Sequence, residues 1–320
     1  MRLVPLSLLI LLIAACDRGG REQTAAAPEL PEGAQAMSLS GQALYPPEMS
    51  EEARIDREAR LAEARADYEA DPDDAEAIIW LGRRTAYLGE YQEAIAIYSD
   101  GIAKHPDNPR MYRHRGHRYI TVRRFNDAIA DLERAAQLVE GTEDEVEPDG
   151  MPNARNIPTS TLHSNIWYHL GLAYYLNGDF ENALRAYREC MTVSRNPDML
   201  VATSHWLYMT LRRLGHEDEA AAVLEPIHAE LDVIENDTYH RLLLMYKGEL
   251  DADALLAEAQ VADGLENATL GYGIGNWHYY NGRLEQAQSV FRSVLQGSQW
   301  AAFGYIAAEA AVQRTWPTVS

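Results

Sequence analysis

Residues 164–197 read SNIWYHLGLAYYLNGDFENALRAYRECMTVSRNP, and this stretch decides the fold. Gly178 divides it into two runs. In the second, Ala183, Tyr187, Cys190 and Met191 recur at helical spacing, so one face of that run is apolar. Gly171 in the first run is small enough to let a second helix approach closely, with larger residues filling the gaps around it. The stretch therefore predicts two antiparallel helices with a tight turn between them.

The same pattern occurs upstream at a fixed offset. Gly82, Ala94 and Gly101 return 34 residues later as Gly116, Ala128 and Ala135, while Tyr91 and Tyr98 return as Phe125 and Leu132. A further 55 residues on, which is 34 plus an insertion of 21, stand Gly171, Phe180, Ala183, Tyr187 and Cys190. Self-similarity at a period of 34 marks a stacked helical array, in which each unit buries its apolar face only against its neighbours.

The pattern resembles the tetratricopeptide repeat. Unit 164–197 carries Trp167, Leu170, Gly171, Tyr174, Gly178, Ala183 and Tyr187, and unit 75–108 carries Leu81, Gly82, Gly89, Ala94, Tyr98, Gly101 and Pro106. The resemblance covers roughly 72–299 and is strong for three units. It implies an all-α fold, a right-handed superhelical solenoid of helix-turn-helix repeats. The expected body is 50–320: a half-repeat at 50–74, repeats at 75–108 and 109–142, an insertion at 143–163, repeats at 164–197 and 201–234, a degenerate unit at 234–267, a repeat at 268–299 and a closing helix at 300–314. Later units keep their turns at Gly215, Gly248 and Gly282, with Ala220 and Ala287 in register. No alternating Val/Ile-rich run remains, so strands are not expected.

Ahead of the body, Arg2 precedes an apolar run from Leu3 to Ile13 and then Ile13-Ala14-Ala15-Cys16. The run is about half as long as a membrane-spanning helix and reads as a secretory signal, 1–15. The tetrapeptide resembles the bacterial lipobox, which implies acylation of Cys16 and a periplasm-facing, lipid-anchored protein of the cell envelope. The alternative is an ordinary cleaved signal with an incidental cysteine. Asp17 resembles the signal that keeps enterobacterial lipoproteins in the inner membrane, and leans the localisation there. Residues 16–49, rich in Ala, Pro, Gly and Glu, read as the lipidated cysteine and a flexible tether. The other cysteine, Cys190, has no intrachain partner and falls in an apolar helical pattern, as a small buried thiol.

With 28 basic and 49 acidic side chains the formal charge is −21. Such a surface repels nucleic acid and anionic lipid, so neither is expected as principal partner, and the lipid anchor supplies the membrane contact. Ten histidines invite a metal reading, best at His114 and His117, but zinc needs three or four ligands and the flanking Arg113, Arg115 and Arg118 repel a cation. Gly271-Tyr-Gly-Ile-Gly275 follows no strand, and Gly275 stands at the packing-glycine position. Neither a phosphate loop nor a nucleophile elbow is present. No cofactor, metal or catalytic residue is assigned, and the chain is not expected to be an enzyme.

The resemblance implies that partners bind along the inner wall, built from fixed positions of each first helix. These are Arg83 and Tyr87, then Arg110, Arg113 and His117, then Asn165, Tyr168 and Tyr175, then His205 and Arg212, with Trp80 and Trp206 beside them. Lys104 to Arg124 holds seven basic residues and one acid, Asp107, against the grain of an acidic chain. This is either a ligand-facing basic patch or a set of arginines pairing with neighbouring units. Arginines beside aromatics suit a protein or acidic peptide segment. The layout is similar to carboxylate-clamp repeats, except that Arg83 and His117 stand where those have Asn. Two further readings stay open. The chain is either an exchanging adaptor, like the assembly lipoproteins and pilus pilotins it resembles in layout, or an extrinsic subunit docked by its flank on a membrane-embedded complex. The insertion is either disordered in its acidic half or functional, and its second half has Ile157 and Leu162 with which to pack.

Overall fold

The computed structural model describes residues 30–261 and 264–317. Six pairs of consecutive helices follow one another: α2 (Ala75–Tyr87) with α3 (Tyr91–Lys104), α4 (Pro109–Thr121) with α5 (Phe125–Val139), α6 (Leu162–Asn177) with α7 (Phe180–Val193), α8 (Pro197–Leu214) with α9 (Glu217–Val223), α10 (Asp237–Lys247) with α11 (Ala252–Val261), and α12 (Leu265–Tyr280) with α13 (Leu284–Val294). Five of them pack as antiparallel hairpins, whereas α10 packs on α8 and α12, and α11 on α12. A single helix, α1 (Glu51–Ala70), leads into them and α14 (Phe303–Thr315) closes them. The fold is an all-α solenoid of tetratricopeptide type.

Local chemistry sets the helix boundaries. Asp74, Asn108, Thr161 and Asn196 cap α2, α4, α6 and α8 by accepting from free amides of the first turn, and Pro109 and Pro197 follow two of those caps. Within pairs, the packing glycines leave no room for a methyl. A Cβ on Gly82 would stand 2.5 Å from the Tyr98 ring, one on Gly116 2.8 Å from Leu132, one on Gly171 2.7 Å from Tyr187 and one on Gly275 2.7 Å from Phe291. The facing alanines Ala94, Ala128, Ala183, Ala220 and Ala287 are wholly buried.

Five of the intra-pair turns use a left-handed glycine: Gly89, Gly178, Gly215, Gly248 and Gly282. The α4–α5 turn has Arg123 there instead, at φ +64°. Its guanidinium is buried and donates to Glu309 Oε2 (2.9 Å) on α14, to the Trp300 carbonyl (2.8 Å) and to the Thr121 carbonyl (2.5 Å). A residue that tolerates backbone strain here reaches across to the far end of the chain.

The array is closed on itself. α14 packs on α12, α13 and α6, and Arg314 donates to the Leu176 carbonyl at the end of α6 (2.7 Å). Residues 30–49 correct two expectations. They form a short antiparallel hairpin, β1 (Ala36–Met37) with β2 (Ala43–Leu44), and they are packed instead of forming a free tether. Ala36 and Leu44 join the main core, Gln35 accepts two hydrogen bonds from Gln92, the Leu39 amide donates to Glu309, and Trp300 Nε1 donates to the Tyr45 carbonyl. The segment buries too little to fold alone, and borrows the edges of α3 and α14 to do so. The signal reading at 1–15, Cys16, Asp17 and the rest of the tether to residue 29 lie outside the described residues.

Candidate functional site

The inner wall divides into a basic compartment and an aromatic one, with Asn165 between them. The basic compartment is filled by the insertion. Val146 bridges Thr161, and the Leu162 amide donates to the Glu145 carbonyl, which turns Glu147 inward until only 5% of it is exposed. Arg113 Nε lies 3.2 Å from Glu147 Oε2, His114 Nε2 lies 2.9 Å from Oε1, and Asn165 Nδ2 donates to Oε2 at 2.7 Å. Arg83 donates to the Pro148 carbonyl (2.7 Å) and Arg84 to the Gly150 carbonyl (2.8 Å). Both guanidiniums lie over the Trp80 ring, at 4.4 and 4.8 Å. A Cβ on Gly150 would fall 2.1 Å from the Tyr87 hydroxyl, so a larger residue there would have to displace the Tyr87 side chain. Beyond it the segment crosses to the α9–α10 linker, where Arg155 grips Asp232 with two nitrogens and Asn153 and Thr159 donate to Glu235.

Electrostatics fix the protonation states. Burial alone would raise the Glu147 carboxyl, but Arg113 and His114 override it and hold it below the usual carboxylate range. Burial, then the neighbouring Arg113 charge, pushes His114 down to about 3. Its Nδ1 accepts from Arg113 Nη1 (2.8 Å), so the neutral ring turns its Nε2–H toward Glu147. The His114 ring also stacks on Tyr98.

The aromatic compartment is an open cleft of about 560 Å³ between α4, α6, α8, α10 and α12 and the start of α14. His117 and His169 lie 4.5 Å apart by ring centres, and Phe303 packs 5.3 Å from His117. Burial and then Arg113 push His169 down to about 3, and burial and then Arg118 push His117 down as well. His169 Nδ1 donates to the Asn165 carbonyl (2.6 Å), which leaves Nε2 as an acceptor. Tyr168 and Met199 complete the floor and Leu265, 64% exposed, stands at the rim. Such a cleft suits an apolar or aromatic side chain with one donor.

The inner-wall expectation therefore needs correction residue by residue. Arg83, Tyr87, Arg113, Asn165 and His117 converge on the basic compartment, and His117, Asn165 and Tyr168 line the cleft. Arg110 lies apart from them, paired with exposed Glu76 of the preceding unit. Tyr175 is fully buried, its hydroxyl 2.7 Å from that of Tyr272, because α12 folds back over α6. His205 is buried between Tyr239 and Tyr246, and burial pushes it down to about 3. Trp206 is buried too, donating to the Tyr168 hydroxyl (2.8 Å). Arg212 lies over Tyr280 at the far ends of α8 and α12, outside the cleft. Ile157 does not pack and is exposed, whereas Leu162 is buried at the start of α6. Cys190 is buried beside Thr203, and burial pushes its thiol up to about 11.

Glu147, His169 and Phe303 escaped the sequence reading. Glu147 had a signal, as an acid in the only long interruption of the repeat, but nothing local told it from its acidic neighbours. His114 and His117 share a helix, but His114 lines only the basic compartment and His117 stands between the two, and among the described residues no group of three or more His, Cys, Asp or Glu is placed to hold a metal ion.

The tetratricopeptide repeat family matches residues 164–197. No curated protein matches the sequence. Similar solved structures include a tetratricopeptide repeat protein from Parabacteroides merdae, 15% identical over 81% of this chain and 93% of that one (TM-score 0.48). They also include YrrB, a TPR protein with an unusual peptide-binding site, 15% identical over 78% and 97% (TM-score 0.41), and MamA, 17% identical over 63% and 99% (TM-score 0.42). With the repeat matched at 164–197 and its helix-pair geometry seen in the neighbouring units, the chain is a tetratricopeptide-repeat protein.

Proposed function

We propose that the protein is a lipid-anchored adaptor of the bacterial cell envelope that holds a protein partner in the aromatic cleft of its inner wall. The tetratricopeptide fold is an interaction scaffold, and the observation that carries this reading is the open cleft itself. Where the basic half of the wall is filled by the chain, this half keeps aromatic and apolar side chains uncovered beside fixed hydrogen-bonding groups. Buried aromatic anchors flanked by polar groups are the usual energetic centre of a protein interface. Anchoring rests on the lipobox-like Ile13-Ala14-Ala15-Cys16. One observation favours docking by the flank on a membrane-embedded complex: a second groove of about 760 Å³ on α5, α6 and α7, with Trp167 and Tyr174 along it.

Affinity purification from native membranes, comparing wild type with Cys16→Ser and Leu265→Glu, tests the reading. Cys16→Ser should leave the protein unlabelled by palmitate and in the soluble envelope fraction. Leu265→Glu should fold normally and lose its partner. Partner capture unchanged in Leu265→Glu removes the cleft and leaves the flank.

A further inference from the structure

The basic compartment already holds a peptide, and the peptide is the chain's own. We infer that this compartment is a seat for an extended acidic segment of a partner protein, and that residues 146–150, Val-Glu-Pro-Asp-Gly, occupy it at rest as a resident competitor. The inference rests on the protein-binding reading above and adds the chemistry of the partner and the means of regulation.

The contacts show what the seat recognises. Helices α2, α4 and α6 supply donors and positive charge, and the segment supplies acceptors: the Glu147 carboxylate accepts from Asn165 and lies at ion-pair distance from Arg113 and beside His114, and the Pro148 and Gly150 carbonyls accept from Arg83 and Arg84. Its apolar side chains contribute little, since Val146 and Met151 are 56% and 57% exposed. Any extended peptide with one carboxylate and free carbonyls offers the same groups. A packed loop would be expected to bury its apolar side chains and leave its acids in water, whereas this one leaves Val146 and Met151 in water and buries Glu147.

The resident also fits incompletely and is held lightly at its far end. A cavity of about 200 Å³ remains between it and the wall, reached by Arg118, which among the described residues has no carboxylate within ion-pair distance. A partner with a second acid would satisfy Arg118 as well. Past Gly150 the segment is tied down by Arg155 with Asp232 and by Asn153 and Thr159 with Glu235, all of them contacts open to solvent, and exposed contacts of this kind hold weakly. The segment can therefore leave the seat without unpacking a helix. A ligand that must first displace a resident shows an apparent affinity reduced by the fraction of time the seat is free.

The probe is a fluorescein-labelled peptide with the sequence of residues 143–151, added to the full chain, with hydrogen exchange read at 144–158. In wild type, millimolar peptide should speed exchange at 146–150. Glu147→Gln, which keeps shape and removes charge, should speed that exchange without peptide and bind the probe at least tenfold more tightly. Adding Arg113→Gln should abolish the gain. The inference is overturned if Glu147→Gln melts like wild type, binds the probe no better and keeps slow exchange at 146–150, because the segment is then a fixed part of the fold. If Glu147→Gln does not fold, the wild-type titration decides, and exchange at 146–150 unmoved by millimolar peptide overturns it. Partner loss in Leu265→Glu reports on the cleft alone, so the two readings fail separately.

Discussion

The two halves of the inner wall are built from the same helix positions and end in opposite states. In the first half, the insertion lies next in sequence to α5 and returns at once over α2 and α4, meeting their arginines with Glu147 and two carbonyls. In the second half the insertion contributes only Thr159 and Ser160 to the lining. The wall is completed by the start of α14, more than a hundred residues away, which covers part of the concavity and leaves a cleft beside His117, His169 and Phe303. The inner wall of a repeat array is thus open only where departures from the repeat leave it so. Charge fills one half here, and shape leaves the other free.

The largest expected effect bears on both halves. His114 in the basic half, and His169 and His205 in the aromatic half, are each pushed down to about 3, chiefly by burial. The unfolded chain takes up a proton at each near pH 6.5 and the folded one does not until near 3. The stability contribution is therefore complete above about 6.5 and is lost as pH falls through that window, at about 1.4 kcal/mol per group per pH unit. Glu147, held below its ordinary range, acts in the same direction below about pH 4.3. Thermal melts should show a steep loss between pH 7 and 5, amounting to several kcal/mol. His205→Phe, which keeps the stack with Tyr239 and Tyr246, should flatten the curve by one group's share. A curve already flat in wild type would show that these rings are not held neutral.

The second prediction concerns how the aromatic half is closed. Arg123→Gly relieves a left-handed arginine, worth about 1–2 kcal/mol, at a position where five other turns have glycine. It also strands Glu309, and breaking a buried ion pair from one side costs about 3–5 kcal/mol. A net loss of about 2–3 kcal/mol follows from these two terms. Faster amide exchange in α14 and in residues 35–45 should accompany it. Stabilisation would mean that the arginine does not hold the closure.

How much of this the sequence carried follows from which forces are local. The helix pairs were legible because Gly171 facing Tyr187 and Gly82 facing Tyr98 repeat a packing rule at a fixed period, and any one unit announces it. Convergence on the inner wall was half legible. Arg83, Arg113 and Asn165 meet as the repeat positions imply, but what they meet is Glu147, and the ordered insertion was open between disorder and function. Tyr175 and His205 were misplaced for a physical reason. An open superhelix leaves those positions in solvent, whereas α12 and α10 fold back over α6 and α8 and bury them. That closure depends on Arg123, Glu309 and the 35–45 hairpin, pairings more than 180 residues apart along the chain that no period encodes.

Arg110 and Arg113, one helical turn apart, give the smallest predicted effect and the sharpest division between the pair that closes the basic compartment and the one that lies outside it. The sequence joins them in one positive strip; the structure parts them. Arg113 is buried against Glu147, while Arg110 reaches Glu76, which is half exposed, at the first turn of α4. An ion pair with one partner in water contributes about 0–1 kcal/mol, and it is screened by salt. Against that small gain stands the cost of a cation beside the positive end of the helix dipole, about 0.3–1 kcal/mol. The two nearly cancel, so Arg110→Ala should melt within about 0.5 kcal/mol of wild type, with the remaining difference vanishing at high salt. Binding of the 143–151 peptide to the Glu147→Gln protein should be unchanged by it. A loss of peptide binding in Arg110→Ala would join the two arginines into one recognition strip and extend the seat past the capped start of α4.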